Sequence, residues 1–178
     1  MKKYSVIFLF VFVCIFAQAQ QNKTLLIGIN PSVTIKKSYP KGCFDINILP
    51  LVLEYNITKN LDIRGISLLN YGIRNIGSAL VDIGAEVTIP YYIRFSNSSP
   101  QTPSGLFVAI GSAFTRNVFY KHKSISVFLE PGYNFLWNNN FSLIVDLQYG
   151  RTFFMYDDGH NITGNHFNVR LILGWWIK

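Results

Sequence analysis

At 178 residues, 49% of them hydrophobic, the chain can bury one full core and is short for two domains. Asp, Glu, Lys and Arg make up only 14%, against a globular norm of about 25%, while Phe, Tyr and Trp reach 16%. That balance suits a lipid interface, and the formal net charge of +7 on a ring-rich, lysine-poor chain argues against nucleic acid as the partner.

The amino terminus stands apart from the rest. Lys2 and Lys3 give a basic start, Val6 to Phe16 is an unbroken apolar run, and Ala17-Gln18-Ala19 supplies small residues for cleavage, the pattern of a secretory signal peptide over residues 1–19. The run falls short of the ~20 residues needed to span a bilayer as a helix. Cleavage before Gln20 removes two lysines and takes the formal charge from +7 to +5. Cys14 leaves with the signal, and the bulky Val13 before it does not fit a lipoprotein cleavage box. Cys43 is then the only cysteine of the mature chain, which excludes an intramolecular disulfide.

Beyond the signal no window keeps a helical period, and alternation with period two takes its place. Strands are predicted near Thr24 to Thr34 and Phe44 to Thr58. The second needs a one-residue slip near Pro50, because only then do Asp45 and Asn47 share a face with Glu54 and Asn56. Further strands are expected over Asn60 to Tyr71, Val81 to Phe95, Gly105 to Phe119, Ser126 to Trp137, Phe141 to Thr152 and Phe167 to Ile177. Short turns at Thr58-Lys59-Asn60 and Asn138 to Asn140, and a Ser/Pro-rich link from Ser96 to Ser104, fall at one end. Lys36 to Cys43, Gly72 to Ala79, Tyr120 to Lys123 and Tyr156 to Asn165 would be longer loops at the other. Residues 20–178 therefore read as an all-β domain, a closed antiparallel up-and-down transmembrane β-barrel of about eight strands with both termini on one side.

Alternation alone does not distinguish a soluble barrel from a membrane barrel, whose sides are inverted. The content of the polar side does. Seven of the nine acidic residues, Asp45, Glu54, Asp62, Asp82, Glu86, Glu130 and Asp146, lie mid-strand there. Their basic companions are Arg64, Arg94 and Arg170, without lysine, as expected where Arg pairs with carboxylates by fixed hydrogen bonds. Rings gather at strand ends: Tyr55, Tyr91, Phe95, Trp137, Phe141, Trp175 and Trp176 at one, and Tyr71, Phe114, Phe119, Tyr120, Phe153, Tyr156 and Phe167 at the other. Such girdles mark the two membrane interfaces. An eight-stranded interior is only wide enough to be filled by side chains, so the ten charged residues are expected to form a self-satisfying network that plugs the lumen.

The stretches Tyr55-Asn56-Ile57-Thr58-Lys59-Asn60-Leu61 and Gly132-Tyr133-Asn134-Phe135 to Asn140-Phe141-Ser142-Leu143, with the signal ending Ala-Gln-Ala-Gln, resemble the outer-membrane β-barrel family that includes OmpA-like and OmpX-like barrels. The resemblance covers Thr24 to Lys178. It implies the barrel, and together with the signal peptide the expectation is a bacterial outer-membrane location, insertion by the barrel-assembly machinery and a monomeric state. Members usually close on an aromatic residue, whereas this chain ends Trp175-Trp176-Ile177-Lys178, with its rings displaced from the terminus.

Candidate chemistry is sparse. His122-Lys123-Ser124 resembles the His-x-Ser of outer-membrane lipid A deacylases, but Glu130, the nearest downstream acid, would sit about 20 Å along an extended strand from Ser124. Asp157, Asp158, His160 and His166 match no metal-ligand spacing and read as loop residues, so neither metal nor cofactor is expected. Lys36, Lys37, Lys41, Arg74, Arg116, Lys121, Lys123 and Arg151 all map to the outward half, where lipopolysaccharide phosphates would be neighbours. The resulting expectation is a non-enzymatic protein with a structural or surface-interaction role. A lipid-modifying enzyme of the same architecture and a secreted lipocalin-like ligand-binding barrel are the alternatives.

Overall fold

The computed structural model describes residues 25–34, 41–75, 77–93, 103–119 and 121–177. The signal peptide over residues 1–19 and the side chains of Lys36, Lys37 and Arg94 lie outside the described residues. Every regular element among those described is a β-strand: β1 (Leu25–Ile29), β2 (Val33–Thr34), β3 (Phe44–Asn47), β4 (Leu51–Asn56), β5 (Asp62–Ile73), β6 (Ala79–Tyr92), β7 (Gly105–Asn117), β8 (His122–Leu136), β9 (Phe141–Tyr156) and β10 (Asn161–Ile177). All pairings are antiparallel. From β4 to β10 each strand pairs with the next, and β1 joins β4 to β10, so that eight strands close into a ring. The closing register runs from Leu25↔Ile177 to Ile29↔Leu173.

The first two expected strands are each split, and in both the break falls at a proline. Pro31 separates β1 from β2 and Pro50 separates β3 from β4. A proline has no N–H to give the ladder. The slip expected near Pro50 is present: Asp45 and Asn47 are buried on odd positions before it, and Val52, Glu54 and Asn56 on even positions after it. Side chains patch the gap. Asn47 Oδ1 accepts from the backbone N–H groups of Leu49 (3.2 Å) and Leu69 (3.1 Å), while Ser67 Oγ donates to Leu49 O (2.5 Å) and accepts from Leu51 N (3.1 Å).

Three strands run longer than their alternation suggests. β8 begins at His122 rather than Ser126, β9 continues to Tyr156, and β10 begins at Asn161 rather than Phe167, so the expected loop Tyr156 to Asn165 contracts to a turn at Asp157–His160. The outward residues of these extensions include Lys123, Asn161, Thr163 and Asn165, and polar residues on both faces erase the period-two signal without weakening the ladder. Val81 departs in another way. Expected on the outward apolar face, it is buried, because Asn70 pairs with Asp82 and Tyr71 with Leu80, leaving Val81 as the extra residue of a bulge.

Side chains then sort by face. Outward positions carry exposed Ile, Leu, Val and aromatic residues on each strand from β6 to β10, as on β8, where Ile125, Val127, Leu129, Tyr133 and Phe135 are all exposed. A chain of touching rings, Tyr133, Phe135, Trp137, Phe141 and Trp175, follows the rim at the short-turn end, with centroids 4.6–6.4 Å apart. Trp176, expected in that rim, points inward instead and donates Nε1–H to Ser142 Oγ at 2.9 Å. It joins an inner apolar cluster with Leu26, Val52, Tyr92, Phe107, Ile144 and Ile172, so the interior holds an apolar plug beside the polar one. Inward glycines make room for interior rings: a Cβ on Gly132 would lie 2.4 Å from the Phe107 ring of this cluster, and one on Gly111 2.4 Å from the ring of Phe128 outside it.

Candidate functional site

Two constellations of charge stand out, one inside the ring and one on its outer face. Inside, inward positions of six strands converge on Arg64 (β5) and Arg170 (β10). Arg64 donates Nε–H to Glu54 Oε2 at 2.6 Å and Nη1–H to Glu130 Oε1 at 2.8 Å, with Asp146 Oδ2 at 3.8 Å. Arg170 donates Nε–H to Asp146 Oδ2 at 3.1 Å, places Nη2 2.5 Å from Glu130 Oε2, and pairs through Nη1 with Glu86. Gln148 Nε2 spans Glu86 Oε1 (2.8 Å) and Glu130 Oε2 (3.0 Å), and Tyr92 donates its hydroxyl to Glu54 Oε1 at 2.9 Å. Arg64, Glu54, Glu130, Asp146 and Arg170 are all 0–2% exposed, so these groups face one another in place of water, with Arg64 Nη2 and Asp146 Oδ1 left without a hydrogen-bond partner among the described residues.

Four carboxylates thus share two guanidinium groups. The planar donor fork of Arg suits this, because one guanidinium engages three carboxylates at once in fixed directions. Arg64 also lies over the Phe107 ring, with Cζ 5.1 Å from the centroid. Away from the short-turn end the network continues through neutral groups. Gln148 Oε1 lies 3.1 Å from His166 Nε2 and accepts from Asn168 Nδ2 at 3.2 Å, while the His166 ring stacks on Phe128 at 4.8 Å.

Six of the expected lumen residues therefore meet in one network: Glu54, Arg64, Glu86, Glu130, Asp146 and Arg170. Asp62 sits beside it, accepting from Asn56 Nδ2 at 2.6 Å. Asp82 belongs to a separate group with Asn117 (2.7 Å) and Asn70 (3.5 Å). Asp45 is held by Arg74 Nη2 at 2.5 Å, and Arg74 Nη1 also donates to Phe44 O at 3.0 Å. That contact corrects the expected outward role of Arg74, whose charge is directed into the protein. Tyr92 and His166 were not named as members: the parity that turns Ile89 and Tyr91 outward places Tyr92 inward, but nothing local pairs it with Glu54, and His166 precedes the stretch where alternation is readable.

The sequence matches no family model and no curated protein. Assignment of chemistry therefore rests on geometry. His122 and Ser124 share the inward face of β8, where Ser124 Oγ lies 2.6 Å from Thr115 Oγ1 and the His122 ring packs against Phe154 and Tyr156. Glu130 is committed to Arg64, Arg170 and Gln148. Of the residues considered for a metal, Asp158 accepts from the His160 backbone N–H at 3.0 Å on the β9–β10 turn, whereas His166 is inside on Gln148. Among the described residues no group of three or more His, Cys, Asp or Glu side chains is arranged to hold a metal ion.

Arg116, Lys123 and Arg151 on the outer face, and Lys41 and Lys121 on the adjoining turns, are exposed toward the end opposite the turns at Thr58–Asn60 and Asn138–Asn140. Arg116 and Lys123 are direct register partners across β7 and β8. Arg151 on β9 faces Val127 of β8 and Asn165 of β10.

Proposed function

We propose that the mature chain is a small monomeric β-barrel of the bacterial outer membrane, inserted by the barrel-assembly machinery and serving a structural or surface-interaction role. The observation that carries this reading is the inversion of sidedness. Exposed apolar residues face outward along each strand from β6 to β10, while Glu54, Arg64, Glu130, Asp146 and Arg170, at 0–2% exposure, face in. In water that arrangement would leave a broad apolar surface uncovered, far beyond the patches soluble monomers tolerate. In a bilayer it is the stable one, since closure of the ring satisfies the backbone and the acyl chains cover the outer face.

Dimensions support the same reading. On β8 the outward residues from Ile125 to Phe135 span ten residue steps, which at about 3.4 Å per residue and a tilt of about 40° gives a height near 26 Å, against an apolar band of about 25 Å in outer-membrane barrels. Rings occupy both borders of that band. The interior is filled by an ion network and an apolar cluster, which supports a plugged barrel over a lipocalin-like ligand chamber.

Fractionation of cells expressing the full chain, with boiled and unboiled samples compared by gel, tests the proposal. A closed membrane barrel resists detergent until heated, so the expected result is an outer-membrane protein with a heat-dependent mobility shift. A soluble periplasmic protein without the shift would overturn it.

A further inference from the structure

The outer face of β7, β8 and β9 carries an arrangement that the structural role does not require. Arg116 and Lys123 stand directly opposite each other in the ladder, both exposed. Like charges so placed repel, and neither side chain enters an ion pair with another described residue. The next outward row, Phe114↔Ile125↔Phe153, is wholly apolar, and the row after it carries Arg151 between Val127 and Asn165. Cations therefore bracket a strip of apolar surface. Asp158, on the neighbouring turn, is directed to the backbone of His160.

We propose that Arg116, Lys123 and Arg151 bind the phosphate groups of a membrane-embedded, phosphorylated glycolipid, as in lipopolysaccharide, whose acyl chains lie along the apolar strip. The proposal rests on the membrane reading and adds a ligand to it. An anion between Arg116 and Lys123 turns a repulsive pair into a bridged one by charge-assisted hydrogen bonds. Arg151 lies four residues along β9 from Met155, the register partner of Lys123, about 13 Å at strand rise. Two levels of positive charge suit a headgroup with two separated phosphates better than a single small anion. The apolar side chains between them favour a lipid, because a soluble anion gains nothing from Phe114, Ile125 and Phe153, whereas a lipid buries acyl surface there. Long cationic side chains at the edge of an apolar band reach headgroup level by extending their heads away from the hydrocarbon. Arg74, at the same end, is turned onto Asp45 and is not part of the site.

The test uses the mature chain folded in a neutral detergent and titrated with bisphosphorylated lipid A, with its dephosphorylated form, and with inorganic phosphate as competitor. The expected result is phosphate-dependent, salt-sensitive binding that weakens about tenfold or more in the R116Q/K123Q double variant. It should weaken further with R151Q, persist in R116K/K123R, and be unaffected by K59Q at the opposite end. Equal binding of the dephosphorylated lipid, displacement by millimolar inorganic phosphate, or wild-type affinity in R116Q/K123Q would each overturn the site. The heat-dependent mobility shift is recorded on the same samples. A wild-type chain without the shift refutes the membrane reading itself, whereas a shift retained with unaltered lipid affinity refutes only the ligand.

Discussion

Arg64 and Arg170 reach toward each other from different walls of the ring and share Glu130 and Asp146 between them. Neither carboxylate has water to fall back on, so removing a guanidinium leaves buried charge without its counter-charge. Arg170→Ala is expected to destabilise the folded state by about 3–5 kcal/mol, and Arg170→Lys to recover only part of that, because an ammonium is a point donor where three carboxylates need a fork. The midpoint of urea unfolding in detergent micelles reads both, and an unchanged midpoint in Arg170→Ala would remove the bracing role. The pairing of Arg170 with Asp146 was within reach of sequence reasoning, since both fall on polar faces of consecutive strands. The contacts of Arg64 with Glu130 and of Arg170 with Glu86 were not, because 66 and 84 residues separate the partners and only closure of the ring brings them together.

At the scale of the strand, close approach of neighbours sets what each position tolerates. A Cβ added at Gly150 would lie 2.0 Å from the backbone carbonyl oxygen of Val127 on β8, a group that cannot move without opening the ladder. Gly150→Ala is expected to cost at least about 1–3 kcal/mol or to prevent folding. Gly65→Ala on β5, where nothing lies within 4 Å, should be neutral or slightly stabilising. Unfolding midpoints of the two variants should diverge, and equal midpoints would refute the close packing of β8 on β9. The slip at Pro50 and the turn at Asn138–Asn140 were readable because turn chemistry is local, whereas the break at Pro31 falls inside the strand expected over Thr24 to Thr34. The bulge at Val81 and the extension of β10 to Asn161 were not readable either. A bulge shifts parity only relative to a partner strand, and polar residues on both faces leave no pattern to read.

For the whole molecule the decisive property is which way the apolar faces point. Leu129 lies mid-strand on the outer face and is 57% exposed. If that face meets lipid, Leu129→Arg should destabilise by about 2–4 kcal/mol; on a water-facing surface the same change would stay within about 0.5 kcal/mol. Folding titrations into phospholipid vesicles distinguish the two, and a neutral result would count against the inverted barrel. The sequence by itself determined the period-two alternation, the turns, the slip at Pro50 and the gathering of Arg and carboxylates on one face. All of these follow from the pleat of a single strand and from the backbone preferences of Pro, Gly and Asn, which need no partner. Tertiary structure alone decided that Tyr92 meets Glu54 and Trp176 meets Ser142, that Arg74 is held by Asp45 while Arg116 and Lys123 stay exposed, and that four carboxylates share two guanidinium groups. Those outcomes depend on closure, which brings side chains distant in sequence across one interior and gives each outward charge its neighbours.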